Sequence, residues 1–374
     1  MRILLLGEYS NVHWTLAEGL RALGHEVCVV SDGDSWKHIP ADILLTRGYS
    51  PWATLKYAAQ VLRTLSQLRG YDVVQLINPL FFELKAERIP PIYRYLRKHN
   101  KRLFMGAFGM DYYWIQACAD CRTFRYSDFN IGPTLRDTEF YRKERRDWVD
   151  GAKGPLNRMI AADCDGIISC LYEYHAVYHP LFPHKEHFIP LPINLSKITP
   201  RTPHEGHRVR FFIGISKGRS EYKGTDVMER ALRRVVAELP DRAEMVRAEG
   251  VPYQEYQQLI NTSDVLLDQL YGYTPAMNAL LAMAKGIVVV GGGEPEAYDL
   301  LGEPTLRPVV NVVPDEEQVY QQLKNLALHP EEVQRLSQES IAYVRKYHDH
   351  LQVARQYLAA WQSPLSAPKN TLLR

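Results

Sequence analysis

The chain has 374 residues, enough for two domains that each bury a full core. Its 46% hydrophobic and 24% charged residues are ordinary for a water-soluble globular protein, and a formal net charge of +2 gives no footing for nucleic acid. The opening run MRILLLGEYSN turns polar too soon for a signal peptide, no stretch is as long as a membrane span, and an odd count of 5 cysteines suits a reducing compartment, so the expectation is a cytoplasmic protein.

In chain order, residues 2–7, 26–31, 43–46, 73–78, 102–107 and 166–170 read as buried strands. Between the first two, Leu16, Leu20 and Leu23 share a helical face that Gly24 closes. Leu55, Ala58, Leu62, Leu65 and Leu68 form a longer stripe ended by Gly70. This βαβ series predicts a parallel, doubly wound sheet. Residues 111–158, rich in Tyr, Trp and charge, interrupt the series and read as an elaboration on the carboxyl edge of that sheet. A short strand at 187–190 leads into residues 195–207, a stretch rich in Pro, His and Thr that reads as a linker. The alternation restarts at 209–215 with a helix at 225–239, and from Glu331 the chain is helical almost to Gln362.

Residues 264–296 are the most telling segment. Val265, Leu266 and Leu267 form a buried strand, a helix runs over about 278–285 to Gly286, and a second strand over 287–290 ends in Gly291, Gly292 and Gly293. A loop that feeds a helix N-terminus at the carboxyl edge of such a sheet suits an anion, because free N–H groups and the helix dipole face it. Upstream, the loop that follows residues 209–215 carries Lys217, Arg219 and Lys223, positive charge that would also suit an anion. Read without that chemistry, the same loop is an exposed basic turn in which Thr225 or Asp226 caps the next helix.

Ala282-Met283-Ala284-Lys285-Gly286, Val288-Val289-Val290 and Glu296 follow the order "EAMA-x-G-x-P-V-V … G-x-x-E", and Gly214 to Leu232 follows "G-R-…-K-G-…-L-…-A-L". In these segments the chain resembles the GT-B glycosyltransferases, especially the retaining glycosyltransferase family 4. The resemblance implies two Rossmann-like, doubly wound parallel-sheet domains facing a cleft: an acceptor-side domain over 1–200, a nucleotide-sugar donor domain over 207–345, and a C-terminal helix over 346–374 that crosses back to the first. It implies a hexosyltransferase that moves a sugar from a nucleoside-diphosphate sugar to a glycan or lipid-linked acceptor hydroxyl, with retention, no cofactor and no metal, in the setting of bacterial surface-polysaccharide assembly. An epimerase or phosphorylase on the same fold, or a non-catalytic binder, stands beside it.

Carried onto this chain, the resemblance gives Lys223, with Lys217 or Arg219 standing in for an arginine that is Ile215 here, to the donor phosphates. Gly7 falls in the loop near the donor phosphates and the acceptor, Asp268 at a strand end facing the cleft, and Asn278 at a helix start, where a plain N-cap explains it equally well. Glu294 and Glu296 fall on the acidic loop after the triple glycine, with Glu296 orienting sugar or ribose. Asp111 is the first-domain candidate for the reacting sugar, and a turn-forming Asp accounts for it too. Catalytic roles thus fall to Asp111, Glu296 and Lys223. The two glutamates that family members carry eight positions apart are Tyr273 and Leu281 here, so their work must come from elsewhere.

Other patterns are weaker. Cys118 and Cys121 lack partners for a zinc site, and Asp32-Gly33-Asp34 and Asp163-Cys164-Asp165 fit D-x-D by chance. The basic, aromatic run over 136–158 could dock peripherally on a membrane, or be a solvated face.

Overall fold

The structure is a computed structural model that describes residues 1–364, apart from Ser35, Trp36, Tyr49, Pro51, Pro203, Glu205, Lys217, Arg219 and the side chain of Tyr253. The first sheet contains β1 (Arg2–Leu6), β2 (Glu26–Ser31), β3 (Ile43–Leu44), β4 (Val73–Leu76) and β5 (Arg102–Ala107). A small hairpin, β6 (Asn130–Ile131) with β7 (Thr134–Leu135), precedes its last strands, β8 (Gly166–Ser169) and β9 (Glu186–Phe188). The second sheet contains β10 (Val209–Ile215), β11 (Ala243–Glu249), β12 (Val265–Leu267), β13 (Val288–Gly291) and β14 (Val310–Asn311). The seven strands of the first run in the order β3-β2-β1-β4-β5-β8-β9 and the five of the second in the order β11-β10-β12-β13-β14, every pairing parallel. The central strands are buried on both faces, which is why they read as unbroken apolar runs: Ile3, Leu4, Leu5 and Leu6 are all inaccessible.

β2, β5 and β10 match the expected limits, while β1, β3, β4 and β8 end one or two residues inside them. β1 stops at Leu6 because Gly7 turns left-handed at φ 83°, and a side chain there would lie 2.2 Å from Ile77 Cγ2. β3 shrinks to two residues as the edge of its sheet. After Gly7, the Glu8 carboxylate accepts from the His13 and Trp14 N–H groups, at 3.2 and 2.8 Å, closing the start of the helix Val12–Ala22.

The C-terminal helical run is broken. Pro330–Tyr347 lies on the second sheet's helix Met277–Ala284, and then His348 and Asp349 leave helical geometry. Asp349 caps the next helix, His350–Gln362, by accepting from Leu351 N at 2.8 Å and Gln352 N at 3.2 Å. That helix buries Val353, Ala354, Tyr357, Ala360 and Trp361, an i, i+3/i+4 stripe, against Val12–Ala22 of the first sheet's layer. Gly19 permits the close approach, since a side chain there would lie 2.5 Å from the His350 carbonyl. Trp361, fully buried, donates through Nε1 to Gln75 Oε1 at 3.2 Å. Among the described residues no helix is long and apolar enough to cross a membrane.

Candidate functional site

In a doubly wound sheet, ligands bind where strand order reverses, at the carboxyl ends of the strands. The first sheet reverses between β1 and β4 and the second between β10 and β12. The loops after β1, β10 and β12 meet around a cavity of about 200 Å³, supplying Tyr9, Ser10, Tyr222, Gln269, Tyr271 and Gly272 to its wall. Phe108 after β5, Cys170 after β8 and Trp114 from the helix Tyr112–Ala119 complete an aromatic lining. Both domains therefore build this site.

Two carboxyl groups face it, and neither is apparent from sequence pattern. Asp128 precedes the hairpin and accepts from Trp114 Nε1 at 3.2 Å and, across the cleft, from Tyr222 Oη at 2.9 Å. Burial pushes its carboxyl up to about 6, against the pull of those two donors, and the Glu173 charge adds to the rise. Glu173, in the helix Tyr172–Tyr178, is only 5% exposed. Its Oε1 reaches the second domain and accepts from Tyr273 N at 2.6 Å and Thr274 N at 3.1 Å. Its Oε2 is buried, and no described residue donates to it. Burial raises this carboxyl as well, against the pull of the Tyr273 and Thr274 N–H groups, its own N–H and the Thr274 hydroxyl.

The expected donor-side residues are only partly gathered here. Lys223 ends the short helix Ser220–Lys223 beside the cavity-lining Tyr222, and its carbonyl accepts from Leu270 N at 2.9 Å, tying the two switch-point loops together. Its half-buried side chain forms no ion pair with a described residue. Lys217 and Arg219 lie outside the described residues. Asp268 and Asn278 are brought together, with Asn278 Nδ2 donating to Asp268 Oδ1 at 3.1 Å. Asn278 lies inside the helix Met277–Ala284 rather than capping it. Gly7 serves the packing of the first loop against Ile77 and is not among the cavity-lining residues.

Three expected acids are engaged elsewhere. Asp111, expected at the reacting sugar, is a fully buried N-cap whose Oδ1 accepts from Trp114 N at 2.8 Å and Oδ2 from Tyr178 Oη at 2.7 Å. Burial pushes its carboxyl up to about 6, and it does not line the cavity. Glu294 and Glu296, expected to orient the donor, are held by Arg125 of the first domain. Arg125 Nη2 donates to Glu294 Oε2 at 2.8 Å and to Glu296 Oε2 at 3.2 Å, and Nη1 donates to Glu296 Oε1. Tyr126 Oη donates to Glu294 Oε1 at 2.5 Å. The Arg125 bond holds the Glu296 carboxyl below its usual range. Tyr273, standing where a family glutamate is expected, joins this cluster: its hydroxyl accepts from Arg125 N at 2.9 Å and its ring lies 4.9 Å from that of Tyr126.

The basic run over 136–158 is largely committed as well. Arg136 stacks 3.6 Å over the Tyr271 ring and donates to the Glu221 carbonyl at 2.7 Å, while Arg142, Lys143, Arg145 and Lys153 pair with nearby carboxylates. Of the D-x-D pairs, Asp34 accepts from Ser10 N at 2.7 Å and Lys37 Nζ at 2.6 Å, and Asp165 pairs with Arg97. Cys118 and Cys121 are free thiols. The described residues that could hold a metal are His175, His179 and Glu186, whose ligand atoms lie within 4.8 Å of one another. The imidazoles already satisfy the buried Glu186 carboxylate, at 3.1 and 2.9 Å.

No family model and no curated protein matches the chain by sequence. Solved structures do match over nearly its whole length. The sucrose-phosphate synthase of Thermosynechococcus elongatus superposes with a TM-score of 0.60 over 97% of this chain and 98% of that one, at 14% identity. Anabaena HepE, solved with UDP and glucose, gives 0.59 over 97% and 99% at 10% identity. WaaG, a glycosyltransferase involved in lipopolysaccharide biosynthesis, gives 0.56 over 97% and 100% at 13% identity. Identity this low speaks to architecture alone, and it speaks for both sheets, the cleft between them and the crossing helix together: the chain has the GT-B fold.

Proposed function

We propose that the protein transfers a sugar from a nucleoside-diphosphate sugar to an acceptor hydroxyl within the interdomain cavity. The observation that carries this reading is the meeting of both switch points around one aromatic-walled cavity, in a fold shared end to end with WaaG, named as a glycosyltransferase, and with HepE, solved with UDP and glucose. Lys223, beside the β10 switch-point loop, lies where a departing diphosphate gains charge, and Lys217 or Arg219 of the same loop adds to the field. With side chains in that role the transfer needs no metal, the sugar's configuration is retained, and a glycan or lipid-linked acceptor enters from the first domain. Surface-polysaccharide assembly is the setting we infer.

A second reading, a nucleotide-sugar binder that does not transfer, is favoured by the commitment of Glu294 and Glu296 to Arg125. Thermal-shift screening of UDP-, GDP-, ADP- and CMP-sugars, with and without chelator, identifies the donor and tests metal independence. With that donor, Lys223→Ala should weaken nucleotide binding and cost about 2–4 kcal/mol of transition-state stabilisation, the scale of one electrostatic contact to a leaving group. Binding without turnover across a broad acceptor panel would leave the binder.

A further inference from the structure

We propose that His175, His179 and Glu186 form a zinc site on the first domain, with water from the solvent as the fourth ligand. None of the three lines the interdomain cavity, so the site stands apart from the transferase reading. His175 and His179 lie four residues apart on one face of the helix Tyr172–Tyr178 and the turn that ends it, and Glu186 opens β9, the edge strand of the first sheet. Both imidazoles turn Nδ1 to the same carboxylate, His175 at 3.1 Å from Oε1 and His179 at 2.9 Å from Oε2, with their ring centroids 4.7 Å apart. The three ligand atoms lie within 4.8 Å of one another. Ligands of a tetrahedral zinc ion stand about 3.3 Å apart, so small turns of the two rings admit one.

The charge of the site argues for a cation. Glu186 has a side chain only 1% exposed, and its ion-pair partners among the described residues are these two histidines, with no Lys or Arg. The imidazoles give its oxygens hydrogen bonds, but a histidine supplies charge only while protonated, and a buried carboxylate without a lasting counter-charge is costly. A divalent ion supplies that charge permanently. Imidazole with carboxylate suits zinc better than magnesium or calcium, which take oxygen ligands. Ser169 Oγ donates to Glu186 Oε1 from behind, the kind of outer contact that orients a ligating carboxylate. The rings that cover the carboxylate are themselves reached by solvent, with 49% of the His179 side chain and 22% of the His175 side chain exposed. Turning the His179 ring away from Oε2 uncovers that oxygen. A bound ion would tie the end of this helix to β9 and so brace the helix from which Glu173 accepts the Tyr273 and Thr274 N–H groups of the second domain.

The untagged full chain, stripped with chelator and dialysed, should take up one zinc ion in isothermal titration, and its melting temperature should rise with added zinc. Cobalt in place of zinc should give the intense visible bands of a tetrahedral or five-coordinate site. His179→Ala removes a half-exposed side chain and should weaken zinc binding at least about a hundredfold, whereas His184→Ala, an exposed neighbour outside the set, should leave it unchanged. No zinc uptake, uptake that His179→Ala leaves unmoved, or uptake that His184→Ala reduces equally overturns the inference. Should His179→Ala fail to fold, the cobalt spectrum of the unaltered chain decides. Intense bands sustain the site, and the weak bands of an octahedral, water-ligated ion overturn it.

Discussion

The two domains touch at two joints built from opposite chemistry. At the back, the helix His350–Gln362 lays Tyr357 and Trp361 into the first domain's core, and Arg102 Nη1 closes the end by donating at 2.6 Å to the Trp361 and Ser363 carbonyls. At the front, Arg125, Tyr126 and Arg136 reach across the cleft to Glu294, Glu296, Tyr273, Tyr271 and the Glu221 carbonyl. The back joint is apolar and fully buried; the front joint is ionic and aromatic, with Arg125 itself 55% exposed. Apolar burial is insensitive to salt and gives way only with the core, whereas a half-exposed ion pair competes with water at every moment. The contrast assigns the back joint to holding the domains and the front joint to a contact that can open for substrate.

The sharpest break in that comparison is Trp361→Ala. Removing a fully buried indole that also pairs with Gln75 should cost about 3–5 kcal/mol of stability. Denaturant unfolding should show a lower midpoint, with the domains losing cooperativity. A change no larger than that of an exposed substitution would mean that the back joint is not the anchor.

Arg125→Ala tests the front joint. Glu294 would be left buried with Tyr126 Oη as its side-chain donor, so the loss is real, but Arg125 is half-solvated and the effect should stay near 2–3 kcal/mol. Raising ionic strength should weaken the wild-type front contact in the same direction. Hydrogen exchange should quicken over residues 120–136 and spare residues 350–362. Equal exchange at both joints would erase the distinction.

Much of the fold was legible because it is local. Val265–Leu267 and Ile3–Leu6 are apolar runs of strand length, and helices such as Val12–Ala22 show their stripe. The break at His348 and Asp349 was missed because it is set by contact with Ile193, whose N–H donates to the His348 carbonyl at 2.6 Å and whose carbonyl accepts from His350 N at 3.0 Å. The site was legible only where it follows the switch-point loops. Glu173 reads as a solvated helix residue, and its meaning comes from N–H groups a hundred positions away. Asp128 lies in a segment without periodicity, and Arg125 gives no hint that it will claim Glu294 and Glu296. Conversely, the resemblance pointed to Asp111, yet Trp114 N and Tyr178 Oη occupy its two oxygens.

The smallest effect expected sits where the front joint meets the cavity. Asp128 takes Tyr222 Oη from the other domain, and its carboxyl is raised from 3.8 to about 6 by burial. The native state thus holds this proton more tightly than the unfolded chain. Its contribution to stability is full below about pH 4, falls as pH rises towards 6, and is flat above. Glu173 pushes in the same direction, and Arg136 offsets part of the rise. Asp128→Asn removes the titration while its Oδ1 can still accept from Trp114 and Tyr222. The melting temperature of the variant minus that of the wild type should therefore climb between pH 4 and pH 7. The shift should correspond to about 1–2 kcal/mol, below the full linkage because water reaches a half-buried carboxyl. A difference that stays flat or falls over that range would show that Asp128 ionises freely, open to solvent, and that the front joint is looser than its contacts imply.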